Sequence, residues 1–259
     1  MSSSNDSIKK TLTVALMLCI VCSVIVSGAA VIFKAQQQEN KALDRKTNIL
    51  AAAGLLVPGK TVDELYAQIT PRVVNLNTGE YTDEFNPETY DQLKASKDPA
   101  LSKALSNSED VAGIKRREQF ATVYLVEKDG ELSRIILPVR GYGLWSTLHG
   151  FLALEADANT VIGLGFYQHA ETPGLGGEVD NPKWKALWPG KEIYQEGTME
   201  PQIELIKGSV DAGTPDAEHK IDGLSGATLT SRGVTNLVQY WIGEEGFGPY
   251  LSKFRKEGV

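Results

Sequence analysis

No charged residue interrupts residues 11–33, which are flanked by Lys9 and Lys10 on one side and Lys34 on the other. At about 1.5 Å per residue, a helix of this run crosses a hydrocarbon core of about 30 Å. A cleaved signal peptide is the competing reading, because Ser27-Gly28-Ala29 looks like a small-residue cleavage site. The run is too long for an ordinary signal core and continues through Ala30-Val31-Ile32-Phe33, which favours an uncleaved anchor. Ala15, Cys19, Ser23 and Ser27 recur every four residues. They form either a face for close helix packing in lipid or the small residues common to any membrane helix.

Residues 34–53 carry a helical pattern, with Gly54 as its cap and Pro58 just beyond. Thr61 and Glu64 form a T-x-x-E capping box that predicts a short helix through Ile69, with a strand over 72–77. Residues 79–118 are polar and yield only a helix near 91–106. The pattern then changes. FATVYLVE and ELSRIILPV flank Lys128-Asp129-Gly130, a hairpin turn. FLALEA and VIGLGFYQ form a second hairpin around 157–160, and 203–207 is a further short strand. Val234, Leu237, Val238, Trp241 and Ile242 share one face of a helix starting near Ser231. Strands arranged as hairpins predict an α+β fold, with a mostly antiparallel sheet and flanking helices behind one N-terminal transmembrane helix.

Composition adds exclusions. The 259 residues are 42% hydrophobic and 23% charged, ordinary for a globular chain. A formal net charge of -7 and the lack of a basic stripe argue against a nucleic-acid partner. Cys19 and Cys22 both lie in the apolar run, so the remainder of the chain has no thiol for disulfides or thiolate-held clusters. His149, His169 and His219 show no metal-ligand spacing, and no dinucleotide fingerprint is present.

Three segments carry candidate chemistry. Asp222-Gly223-Leu224-Ser225-Gly226-Ala227-Thr228-Leu229-Thr230-Ser231 precedes the last long helix. Its hydroxyls, bare backbone and helix start suit a phosphate, with Arg232 as an added cation. A Ser/Thr-rich helix cap is the plainer reading. His169-Ala170-Glu171-Thr172-Pro173-Gly174-Leu175-Gly176-Gly177 leaves a strand and offers either a backbone surface for a flat ligand or a simple turn. Gly141-Tyr142-Gly143-Leu144-Trp145 ends a strand, where Trp145 serves to stack on a ring system or as core.

In this order, GYGLW, HAETPGLGG and D-x-x-SGATLTS before a terminal helix resemble the covalent FMN-binding domain. With one N-terminal membrane helix and this length, the chain is most similar to the family of C-type subunits of the sodium-translocating NADH:quinone oxidoreductase. The likeness runs from about Lys9 to the final helix. It implies FMN esterified through its phosphate to Thr228 by a periplasmic flavin transferase that uses FAD. It implies Trp145 and Leu175 beside the isoalloxazine, in a loop with Gly174 and Gly176, and Glu171 and Thr172 near its polar edge. Ser225, Gly226, Ala227 and Thr230 would line the phosphate end, with Asp222 and Leu229 completing the motif.

Lysine counts do not orient the anchor, since Lys34, Lys41, Arg45 and Lys46 oppose Lys9 and Lys10. The resemblance implies a bacterial inner-membrane protein with a cytoplasmic tail (1–10), a membrane helix (11–33), a linker helix (34–60) and a periplasmic FMN-binding domain (61–259). Its expected function is electron carriage within a multi-subunit membrane reductase. The alternatives are a G-type subunit of an Rnf ferredoxin:NAD complex, and an anchored binding module that carries no flavin.

Overall fold

The computed structural model describes residues 7–257, so residues 1–6 of the expected tail and residues 258–259 lie outside the described residues. The chain divides into two compact units, residues 1–45 and 46–259. In the first, helix α1 (Ile8–Ile32) begins at Ser7, whose hydroxyl accepts the Lys10 N–H. It is long and apolar enough to cross a membrane, which fits anchoring. Helix α2 (Lys34–Ala52) follows, and its residues from Lys46 onward belong to the second unit.

The second unit is built on a six-stranded antiparallel sheet. Its strands are β1 (Ile69–Asn75), β2 (Glu80–Thr82), β5 (Phe120–Lys128), β6 (Glu131–Tyr142), β7 (Thr147–Glu155) and β8 (Val161–Gln168), in the order β2-β1-β5-β6-β7-β8. Two short strands of the polar segment, β3 (Ser102–Ala104) and β4 (Arg116–Glu118), pair separately. Strands β9 (Glu204–Ile206) and β10 (Lys220–Asp222) form a parallel pair. The short helix α3 (Val62–Tyr66) leads into β1, α4 (Gln92–Ala95) and α5 (Pro182–Lys185) lie between strands, and α6 (Thr228–Ile242) and α7 (Gly248–Glu257) close the chain.

Both faces of the sheet are covered. Ile135, Leu137 and Val139 of β6 pack in the main core with Val234, Leu237, Val238 and Trp241 of α6. Ile136 enters the opposite core, with Ile49, Leu50, Ala52 and Ala53 at the end of α2 and Leu65 of α3. Burial on both faces explains why FATVYLV and RIILPV read as continuous apolar runs rather than alternating ones. The β5–β6 turn holds Asp129 at φ 57° and Gly130 at φ 85°, the left-handed pair a two-residue hairpin needs. The Thr61–Glu64 capping box forms as expected, although its helix stops at Tyr66.

The helix expected near 91–106 is replaced by one turn, Gln92–Ala95. The Asp98 carboxylate accepts the Ala100 N–H at 2.9 Å, bending the chain around Pro99, and residues 102–104 pair as β3. An Asp side chain bonding its own backbone and a proline end the helical pattern that the sequence suggests.

Candidate functional site

Three loops meet at one end of the sheet: the turn after β6, the segment after β8, and the approach to α6. Glu171 joins them. Its side chain is buried, and Oε1 accepts the N–H groups of Leu144 (3.1 Å), Trp145 (2.9 Å) and Ser146 (3.2 Å). Oε2 accepts the Thr230 hydroxyl at 2.7 Å. Burial pushes the carboxyl pKa up, but the Thr230 hydroxyl and the three amides outweigh it, and the net shift is downward. His169 Nδ1 accepts the Glu171 N–H at 3.2 Å, and its Nε2 faces Asp180 at 2.7 Å. Histidine therefore shapes the loop that carries Glu171.

The four hydroxyls gathered by the sequence divide into two pairs. The Ser231 hydroxyl accepts the Leu224 N–H at 2.9 Å and donates to the Ala227 carbonyl at 3.1 Å. With Thr230 given to Glu171, these two serve the fold. Ser225 and Thr228 are exposed. Thr228 is the first residue of α6, and Ala227 before it offers no side-chain cap. The first N–H groups of the helix therefore lack both an intrahelical partner and a capping oxygen, and they favour an anion.

Thr228 also lines a cleft of about 620 Å³, together with Ile206, Lys207, Ser225, Gly226 and Arg232. Asp222 braces the neighbouring loop: its Oδ1 accepts the Val210 N–H at 2.8 Å and its carbonyl accepts Trp184 Nε1 at 3.0 Å. The Thr172 carbonyl accepts the Leu175 and Gly177 N–H groups at 3.1 and 2.9 Å, closing a turn in which Gly174 takes φ +76°. This turn presents Leu175, 44% exposed, close to Gly226. Trp145 (65%) and Leu229 (53%) are likewise unusually exposed for large apolar side chains.

These groups fit a flavin nucleotide. The uncapped helix start with Lys207 and Arg232 suits its phosphate, and the exposed Trp145 and Leu175 suit its flat ring. Lys207 and Ile206 have no signal in the sequence, because the parallel pairing of β9 with β10 that brings them to the cleft joins distant segments.

Residues 143–243, which contain all three loops and α6, match the family model described as FMN-binding domain. The chain is 57% identical over 258 residues to the C-type subunit of the Na(+)-translocating NADH-quinone reductase of Pseudomonas aeruginosa, covering 98% of each. It belongs to this family of C-type reductase subunits. The counterpart from Vibrio alginolyticus is 50% identical over 256 residues, again covering 98% of each chain. Among solved structures, NqrC of Shewanella oneidensis superposes with a TM-score of 0.75 at 34% identity, covering 82% of this chain and 97% of that one. The counterpart from Parabacteroides distasonis gives a TM-score of 0.65 at 26% identity, covering 85% and 96%. The α+β architecture expected from the hairpin pattern is that of these family members.

Proposed function

We propose that this chain is the electron-carrying flavoprotein subunit of a Na(+)-translocating NADH-quinone reductase, with FMN esterified to Thr228. One observation carries the reading: Thr228 stands exposed on the uncapped first turn of α6, in a cleft lined by Lys207 and Arg232 and two residues before Thr230, which Glu171 ties to the Trp145 turn. When bound, FMN supplies reversible electron transfer, and the protein supplies position and electrostatics. Thr228 supplies the alcohol for attachment. Its Oγ forms the bond to the FMN phosphorus and its proton leaves, while the pyrophosphate bond of FAD breaks with AMP as leaving group. A periplasmic flavin transferase catalyses this step.

Ser225, Gly226, Ala227 and Thr230 frame the phosphate end, Asp222 and Leu229 complete that segment, and Glu171, Thr172, Gly174 and Gly176 shape the ring end. On this reading residues 1–10 are cytoplasmic, 11–33 span the inner membrane, 34–60 connect, and 61–259 form the periplasmic domain. The other redox subunits of the complex are its partners. Coverage of nearly the full length of the Pseudomonas and Vibrio relatives supports this family over an Rnf-type G subunit.

The test is the intact mass of the full chain co-expressed with its flavin transferase. An increase equal to FMN less one water, mapped to the peptide containing Thr228, is expected. Unmodified protein beside demonstrably active transferase would remove the reading.

A further inference from the structure

We propose that Glu171 is a positioning residue whose carboxylate clasps the Trp145 turn to the first turn of α6, and that it acts neither as an acid or base nor as a flavin ligand. The role assigned to flavin placement rests on the flavoprotein reading above; the clasp itself does not.

A carboxylate offers about four lone-pair sites. Here they meet four donors: three successive amides, Leu144, Trp145 and Ser146, and the Thr230 hydroxyl, at 2.7–3.2 Å. The Leu144 N–H also lies 3.3 Å from Oε2. Successive N–H groups converging on one oxygen form an anion nest. They leave Glu171 ionised, with no proton to give and no acceptor site to spare. The group is 5% exposed, so a ligand reaches it only by displacing a donor.

The motif glycines belong to the same device. A Cβ at Gly143 would fall 2.7 Å from Glu171 Oε1, and one at Gly176 would fall 2.7 Å from Oε2 and 2.6 Å from the Thr230 hydroxyl. Both glycines therefore make room for the carboxylate. Thr230 lies two residues beyond Thr228, so the clasp sets where Trp145 stands relative to the attachment point.

A glutamine at 171 keeps the shape and one acceptor oxygen for the three amides but loses the charge, and its NH2 group takes the place of the oxygen that accepts the Thr230 hydroxyl, which weakens the nest. The experiment uses full-length protein in detergent, made without transferase, and reads hydrogen exchange at amides 144–146. In E171Q these amides should exchange at least about tenfold faster, with those of Ile135 and Leu137 in β6 unchanged. Thr230→Val should give a smaller acceleration, and E171D reads the same bond should E171Q fail to fold. Wild-type exchange at 144–146 in a folded Glu171 variant would overturn the clasp.

The second arm adds transferase and FAD. E171Q should still gain the flavin mass, but with at least a twofold rise in flavin fluorescence as Trp145 leaves the ring. Flavin-bearing E171Q with wild-type fluorescence would overturn the positioning role. Absence of flavin in the wild type would instead remove the flavoprotein reading, leaving the clasp to be decided by exchange.

Discussion

Arg140 Nη2 reaches Glu118 Oε2 at 2.6 Å, and the carboxylate is completely buried. This pair fastens β4, in the polar segment, to β6 at the centre of the sheet. Gln92 donates to the other carboxylate oxygen at 2.5 Å, and the Arg140 carbonyl accepts Trp241 Nε1 at 2.7 Å. Glu118→Ala would strand a guanidinium inside the protein, at a cost of about 3–5 kcal/mol. Breaking the solvent-screened Lys103–Glu109 pair should cost far less. Denaturant midpoints of the two variants in detergent should differ accordingly, and equal midpoints would refute the contrast.

Thr228→Ala should fold with wild-type stability, within about 0.5 kcal/mol, because the side chain is exposed. It should carry no flavin on a denaturing gel, whereas Thr228→Ser should retain some. Fluorescent Thr228→Ala protein would relocate the attachment point.

Lys207 and Arg232 line the same cleft as Thr228. Replacing both with alanine should slow flavin incorporation by purified transferase and FAD, with the melting temperature nearly unchanged. An unaltered time course would mean that the phosphate is held by helix N–H groups alone.

The Thr230 hydroxyl and the three amides hold the folded pKa of Glu171 below its ordinary value, against the effect of burial. A depressed carboxylate contributes stability that is complete above its unfolded pKa and lost as pH falls through its folded one. The stability difference between wild type and E171Q should therefore be constant from neutral pH to about 5 and shrink below the ordinary carboxylate range. A difference that grows on acidification would contradict an ionised Glu171.

Local chemistry was legible where neighbours along the chain decide the structure. Asp129-Gly130 marks a hairpin, Thr61 and Glu64 mark a helix start, and the spacing of Val234, Leu237, Val238 and Trp241 marks the buried face of α6. The candidate phosphate segment 222–231 was legible because it is contiguous. The division of labour among Ser225, Thr228, Thr230 and Ser231 was not, since it depends on Glu171, 59 residues from Thr230. Residues 79–118 were obscure for a related reason. Of their few apolar side chains, Tyr90 and Ala95 join Val73 of β1 and Phe120 of β5 in a small separate core, and Ala112 and Ile114 reach the main one, too sparse a set to impose a period.

The bonds that hold the Trp145 turn, the Leu175 turn and the start of α6 together all run between groups of the chain itself. On the proposed attachment, none of these contacts waits for the flavin, so chain made without its transferase should accumulate as sound, colourless protein ready to be loaded, in place of misfolded waste.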